Sequence, residues 1–141
     1  MAKYHKLYFD GASRGNPGMA SLGGVIYNLE EEEMINFKKY IGKATNNVAE
    51  YSAVLAGLQV LIKYKIREVE IYGDSKLVIE QIKGNWKVKS DSLKPYYDKI
   101  KQLITREHFD KINFFHVRRK FNKRADELAN MAIDNEIKNN A

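Results

Sequence analysis

The 141-residue sequence contains no cysteine, which excludes disulfide scaffolds, thiolate zinc sites and cysteine nucleophiles together. No stretch approaches the roughly 20 apolar residues of a membrane span. The first ten residues alternate charged and apolar side chains and lack the apolar core of a secretion signal. No internal repeat, linker or low-complexity segment interrupts the chain. The two prolines, Pro17 and Pro95, fall in a glycine-rich turn and in the first turn of a helix. What is present suffices for a packed core, since 44% of residues are hydrophobic and 11% aromatic. The expectation is one domain over residues 1–141, monomeric and cytoplasmic, with no appended module, no membrane association and no protein partner.

The net charge of +6 is unevenly placed. Acidic and basic residues balance through residues 1–82. Residues 83–106 then carry seven Lys or Arg against two acids, and residues 111–124 carry six against none. Two basic windows confined to the C-terminal half point to a polyanionic partner.

Hydrophobic periodicity predicts strands over residues 3–10, 22–28 and 34–41, with turn chemistry over 10–18 and a solvated acidic turn at Glu30–Glu33. A helix is expected over 46–63, where Tyr51, Val54, Leu55, Leu58, Leu61 and Ile62 form one apolar face. A strand follows over 68–72, a short helix over 75–82 closed by Gly84, and a helix from Leu93 to Ile104. A last strand over 112–117 and a C-terminal helix containing Ala125, Leu128, Ala129, Ala132 and Ile133 complete the pattern. A meander followed by helix–strand units implies an α/β fold with a mixed sheet and helices on both faces.

Four carboxylates stand at the expected ends of elements: Asp10 after the first strand, Glu50 in the first turn of the long helix, Asp74 between strand and helix, and Asp126 at the start of the last helix. Each has a structural role open to it. Glu50 fits a capping box with Asn47, Asp74 an N-cap, Asp10 an Asx turn, and Asp126 the positive helix end behind an Asn122 cap. Taken together they suggest convergence, since sites in α/β sheets form at strand ends and helix starts. Clustered carboxylates need a cation, and an oxygen-only set suits Mg²⁺ or Mn²⁺. Two such ions can activate water for phosphodiester cleavage.

At these residues the sequence resembles type 1 ribonuclease H, from about Lys3 to Ile133. The matching stretches are Phe9-Asp-Gly-Ala-Ser-Arg-Gly-Asn-Pro-Gly18, Thr45-Asn-Asn-Val-Ala-Glu-Tyr51, Gly73-Asp-Ser-Lys-Leu-Val78 and Asn122-Lys-Arg-Ala-Asp-Glu-Leu-Ala129. The resemblance implies a five-stranded mixed sheet, three antiparallel strands then two parallel ones, flanked by helices. It implies a metal-dependent endoribonuclease that cleaves the RNA strand of RNA–DNA hybrids, with Asp10, Glu50, Asp74 and Asp126 as metal ligands. It places Thr45, Asn46 and Asn47 among substrate contacts; Gly11 and the glycine loop, which let backbone approach closely, and Asn16, which like Asn46 and Asn47 can donate to and accept from the 2′-OH, are further candidates. The rivals are a catalytically inactive hybrid-binding domain, an exonuclease, and a hydrolase of double-stranded RNA.

Two departures from the family pattern stand out. The His-and-Gly loop that many members carry before the last Asp is absent. His116 lies ten residues before Asp126, yet it alternates with Ile112 and Phe114 and so also fits a core strand position. If His116 is in the strand, Arg119 in the short loop offers the positive charge near the scissile phosphate. The long basic protrusion of some members is reduced to Lys83-Gly-Asn-Trp-Lys-Val-Lys89. Here Lys87 and Lys89 are candidate phosphate contacts, and Trp86 either stacks on the substrate or caps the core edge.

Overall fold

The computed structural model describes residues 1–141. Its strands are β1 (His5–Gly15), β2 (Gly18–Tyr27), β3 (Glu33–Ala44), β4 (Glu68–Gly73) and β5 (Lys111–His116). Its helices are α1 (Asn46–Lys63), α2 (Lys76–Lys83), α3 (Lys94–Leu103) and α4 (Lys123–Asn139), with a 3₁₀ turn at Arg119–Phe121. The sheet order is β3-β2-β1-β4-β5, antiparallel across the first three strands and parallel at β1–β4 and β4–β5. This is the five-stranded mixed sheet expected from the sequence. No helix is long and apolar enough to cross a membrane.

The predicted turn over residues 10–18 is the main correction. β1 runs on through Asp10, Gly11, Ala12 and Ser13 to Gly15, paired with β2 down to Gly15↔Gly18, and the turn contracts to Asn16–Pro17. Small residues that read as loop chemistry are paired strand residues here, because an antiparallel ladder needs only their backbone. The parallel partner β4 stops at Tyr8↔Tyr72, so β1 outruns it and Asp10 emerges where the sheet narrows.

One face of the sheet carries α1, α2 and α3 over a core that includes Leu7, Phe9, Tyr51, Leu58, Ile71 and Ile82. The other face carries α4, which packs against β1, β2 and β3. Its buried face is mostly small, with Ala125, Ala129 and Ala132, and this lets the helix backbone approach Gly23. A Cβ built at Gly23 would lie 2.5 Å from the Ala129 nitrogen and 2.7 Å from the Ala125 carbonyl oxygen. The Ser21 hydroxyl, fully buried, donates to the Ala129 carbonyl and fixes the same contact.

Gly23→Ala should therefore push α4 off the sheet and destabilise the protein by about 1–3 kcal/mol, the usual cost of overpacking. Urea denaturation checks this, with an unchanged midpoint counting against close packing at Gly23.

Candidate active site

Asp10, Glu50 and Asp74 come from three separate elements, and one ligand oxygen from each lies within 4.8 Å of the others. Asp10 and Glu50 are buried, at 5% and 6% exposure. The local cause is Gly11. A Cβ there would sit 2.3 Å from both the Ala49 carbonyl carbon and the Glu50 nitrogen, so only glycine lets α1 begin directly on β1. The Gly11 N–H then donates to Glu50 Oε1. Gly11 thus serves the site by seating Glu50, with its N–H already engaged.

Three of the structural roles considered for these carboxylates do not form as the sequence suggested, while Asp126 does take its place in the first turn of α4. Thr45, not Asn47, caps α1, its hydroxyl accepting from the Val48 N–H at 3.2 Å. Glu50 is turned to β1 instead of back to Asn47. Ser75 caps α2, accepting from the Val78 N–H at 3.4 Å, which frees Asp74 for the cluster. Asn122 occupies the N-cap position of α4, but its side chain makes no capping bond. Its Nδ2 donates to the Phe9 carbonyl at 2.9 Å and to Asp74 Oδ2 at 3.2 Å. Sequence reasoning missed this positioning role, because an asparagine before a helix reads first as a cap.

Asp126 stands in the first turn of α4, outside the close trio, and its Oδ1 accepts from Asn130 Nδ2 at 3.2 Å. It is near enough to act on Asp10. Burial, then Glu50, Asp74 and Asp126, push the Asp10 carboxyl far above the ordinary carboxylate range. Burial, helped by the Asp74 charge, also raises Glu50, against the proximity of Asp10, the Gly11 N–H donated to it and the positive charge of Arg119. Glu50 Oε2 is buried with no hydrogen-bond partner. A buried, partnerless carboxylate oxygen beside two further carboxylates fits a divalent cation, and an all-oxygen donor set suits a hard ion such as Mg²⁺ or Mn²⁺.

Around this centre, Asn16 Oδ1 accepts from the Asn46 N–H at 3.1 Å, which gathers Asn16, Thr45, Asn46 and Asn47 at the start of α1. His116 ends β5 exposed, not in the core, with Nε2 3.2 Å from the Asp74 carbonyl oxygen. The strand's alternation is real, but the strand stops at that residue. Arg119 is exposed in the 3₁₀ turn. Trp86 is 44% exposed under the Lys76 ammonium, so it does not cap the core, and Lys87 and Lys89 are exposed beside it. The base of that loop is fixed where Gln81 Nε2 donates to the Lys87 carbonyl at 3.0 Å and Tyr51 donates to Gln81 Oε1 at 2.6 Å.

Fold and carboxylates together define a class, the reverse transcriptase-like family, whose model matches residues 8–132. Within that class the chain belongs to the type 1 ribonuclease H family. It is 33% identical to a ribonuclease H of Clostridium botulinum, over 91% of this chain and 94% of that protein. It is 44% identical to a bifunctional protein of Mycobacterium tuberculosis over 89% of this chain, but spans only 34% of that relative's length. Among solved structures, LC11-RNase H1 from compost, in complex with an RNA/DNA hybrid, superposes with a TM-score of 0.89. That match has 39% identity and covers 94% of this chain and 99% of the other.

The raised carboxyl groups set the sign of a pH effect. A carboxyl with a folded pKa above its unfolded value of about 4 stabilises the protein below that value, and the stability is lost as pH rises. The metal-free protein should therefore melt at lower temperature at pH 8 than at pH 5. Asp10→Asn should raise its melting temperature at pH 8 by roughly 4 °C, equivalent to about 1 kcal/mol. Adding Mg²⁺ should stabilise the wild type more than this variant. Calorimetry at the two pH values decides, and a metal-free melting temperature rising with pH would refute the arrangement.

Proposed function

We propose that this chain hydrolyses the RNA strand of RNA–DNA hybrids as a metal-dependent endoribonuclease. The observation that carries the reading is the trio of converging carboxylates with a buried, partnerless oxygen on Glu50. We assign Asp10, Glu50, Asp74 and Asp126 to holding Mg²⁺ or Mn²⁺, which when bound lowers the pKa of water and offsets developing charge on phosphate oxygens. An inactive hybrid-binding domain would gain by losing these acids, which repel phosphates, so the intact set favours catalysis.

The chain's own residues supply the rest. Asn122 keeps Asp74 and β1 in fixed relation through its two hydrogen bonds. Asn16, Asn46 and Asn47 offer amides that can donate and accept at the start of α1, where a 2′-OH distinguishes RNA from DNA. Lys87 and Lys89 project from a loop pinned by Gln81 and hold backbone phosphates, with Trp86 beside them. Arg119 contributes a positive charge that does not titrate near neutral pH, and His116 stands against the Asp74 carbonyl.

Cleavage of a labelled hybrid should require Mg²⁺ or Mn²⁺ and stop in excess EDTA. Asp74→Asn should lower kcat by at least roughly 10²–10³ while the fold persists. Tight hybrid binding without cleavage under any divalent metal would favour the binding-domain reading instead.

Neutralising Lys87 and Lys89 should raise KM and flatten its log–log salt dependence by about one unit per lost phosphate contact. Arg119→Ala should cost more kcat than His116→Ala in single-turnover kinetics. A catalytic defect confined to His116→Ala would reverse those two roles.

A further inference from the structure

The sheet face shared with α4 holds a feature that the carboxylate chemistry does not use. Tyr8, Tyr72 and Phe115 stand side by side across β1, β4 and β5, in register, with ring centroids 4.8 Å and 5.2 Å apart and near-parallel planes. Tyr27 meets Tyr8 edge-on at 5.7 Å. Because α4 packs on β1, β2 and β3, the outward side of β4 and β5 stays open, and Phe115 is 39% exposed at the sheet edge. Strand side chains alternate faces, so the next residue along β1 on this face is Asp10, and Asp74 follows directly on the end of β4. The aromatic row is thus one step from the carboxylates.

The chain from β5 to α4 crosses the ends of β4 and β1, where the Val117 N–H donates to the Gly73 carbonyl and Asn122 to the Phe9 carbonyl. It places Phe121, 61% exposed, across from Tyr8 and Tyr27, and together they wall a cleft of about 320 Å³. Arg118, Arg119, Lys120 and Lys123 on this crossing enter none of the molecule's ion pairs. Lys120 lies 5.0 Å from the Phe121 ring centroid. Two further acids on this face are already engaged: Glu31 pairs with Lys6 at 3.1 Å, and Glu70 accepts from the Tyr72 hydroxyl at 3.1 Å. The surface therefore joins the exposed Phe115 and Phe121 rings and the half-buried Tyr8, Tyr27 and Tyr72 to cations that enter no ion pair.

We infer that this cleft and aromatic row bind an unpaired single strand of nucleic acid that extends from the substrate past the carboxylates. Unpaired bases present free faces to aromatic side chains, whereas those in a duplex are stacked on each other. The cleft admits a base but not a helix. Free cations along one rim match a phosphate backbone. Asn16, Thr45, Asn46 and Asn47 approach the carboxylates from the α1 side, so a strand leaving toward α4 meets the row next. The inference rests on the nuclease reading for the identity of the paired substrate, but not for the binding itself.

The test uses fluorescence anisotropy of labelled ten-nucleotide oligo(dT) and oligo(rU) in EDTA, where no cleavage occurs. The wild type should bind both with a strong salt dependence. Phe121→Ala should weaken binding roughly tenfold, as expected for one lost stacking contact, and Phe115→Ala should weaken it less. Lys120→Ala combined with Lys123→Ala should flatten the salt slope. With Mg²⁺, Phe121→Ala should cleave a blunt hybrid at the wild-type rate, but lose a wild-type preference for hybrids with single-stranded extensions.

Equal oligonucleotide affinity in wild type, Phe121→Ala and Phe115→Ala would overturn the inference. So would a self-association seen by sedimentation that both substitutions abolish without changing oligonucleotide binding, since a second copy would then own the surface. Phe121-dependent oligonucleotide binding by a protein that cleaves no hybrid would support the cleft and overturn the nuclease reading alone.

Discussion

The seating of α1 on β1 at Gly11 governs the geometry of this molecule. With no side chain between them, the helix starts against the strand backbone, and the Gly11 N–H reaches the Glu50 carboxylate. That one contact buries Glu50, aligns it with Asp10 one residue away along β1, and leaves its second oxygen without a partner. Each effect raises the electrostatic cost of the metal-free site, because desolvated like charges at short range cannot all stay ionised. The fold tolerates the cost because the remaining packing, from Leu7 and Phe9 through Leu58 and Leu61, is fully buried.

A second set of contacts ties the other carboxylates to the same frame. Asn122, 1% exposed, spans from the Phe9 carbonyl to Asp74 at the point where α4 begins. Asp126 follows within the first turn of that helix and is linked through Asn130 to Arg14 on β1. The two faces of the sheet therefore meet at the carboxylates. α1 reaches them from one side and α4 from the other, and both contacts run through main-chain atoms of β1.

Much of this was legible in the sequence, for physical reasons that differ by element. The α1 span of residues 46–63 was readable to the residue, because its apolar face recurs at regular three- and four-residue spacing. The sheet class followed from the order of periodic segments. The course of Asp10 to Gly15 was not legible, because paired backbone carries no hydrophobic signature when small residues leave room for a helix. The cap assignments misled for a related reason. Asn47, Asp74 and Asn122 have the chemistry of caps, but Thr45 and Ser75 take that role through local bonds from Val48 and Val78, and tertiary contacts turn Asn122 toward Asp74. His116 shows the limit of alternation, which places a residue on a face but cannot say that its strand ends there.

The anchor beneath residues 83–89 has a consequence for how this protein can vary. Gln81 grips the main-chain carbonyl of Lys87, and Tyr51 grips Gln81, so nothing in the tether reads a side chain of the loop itself. That contact is indifferent to the Lys87 side chain, whereas Gly84, at a φ of 87°, and Val88, packed against the core, still constrain the loop. The charge at the exposed Lys87 and Lys89 can therefore change without disturbing Glu50, which neighbours Tyr51 on α1. In engineering terms the segment is a socket for charge: its exposed lysines can be exchanged while Gly84, Val88 and the carboxylate frame stay fixed.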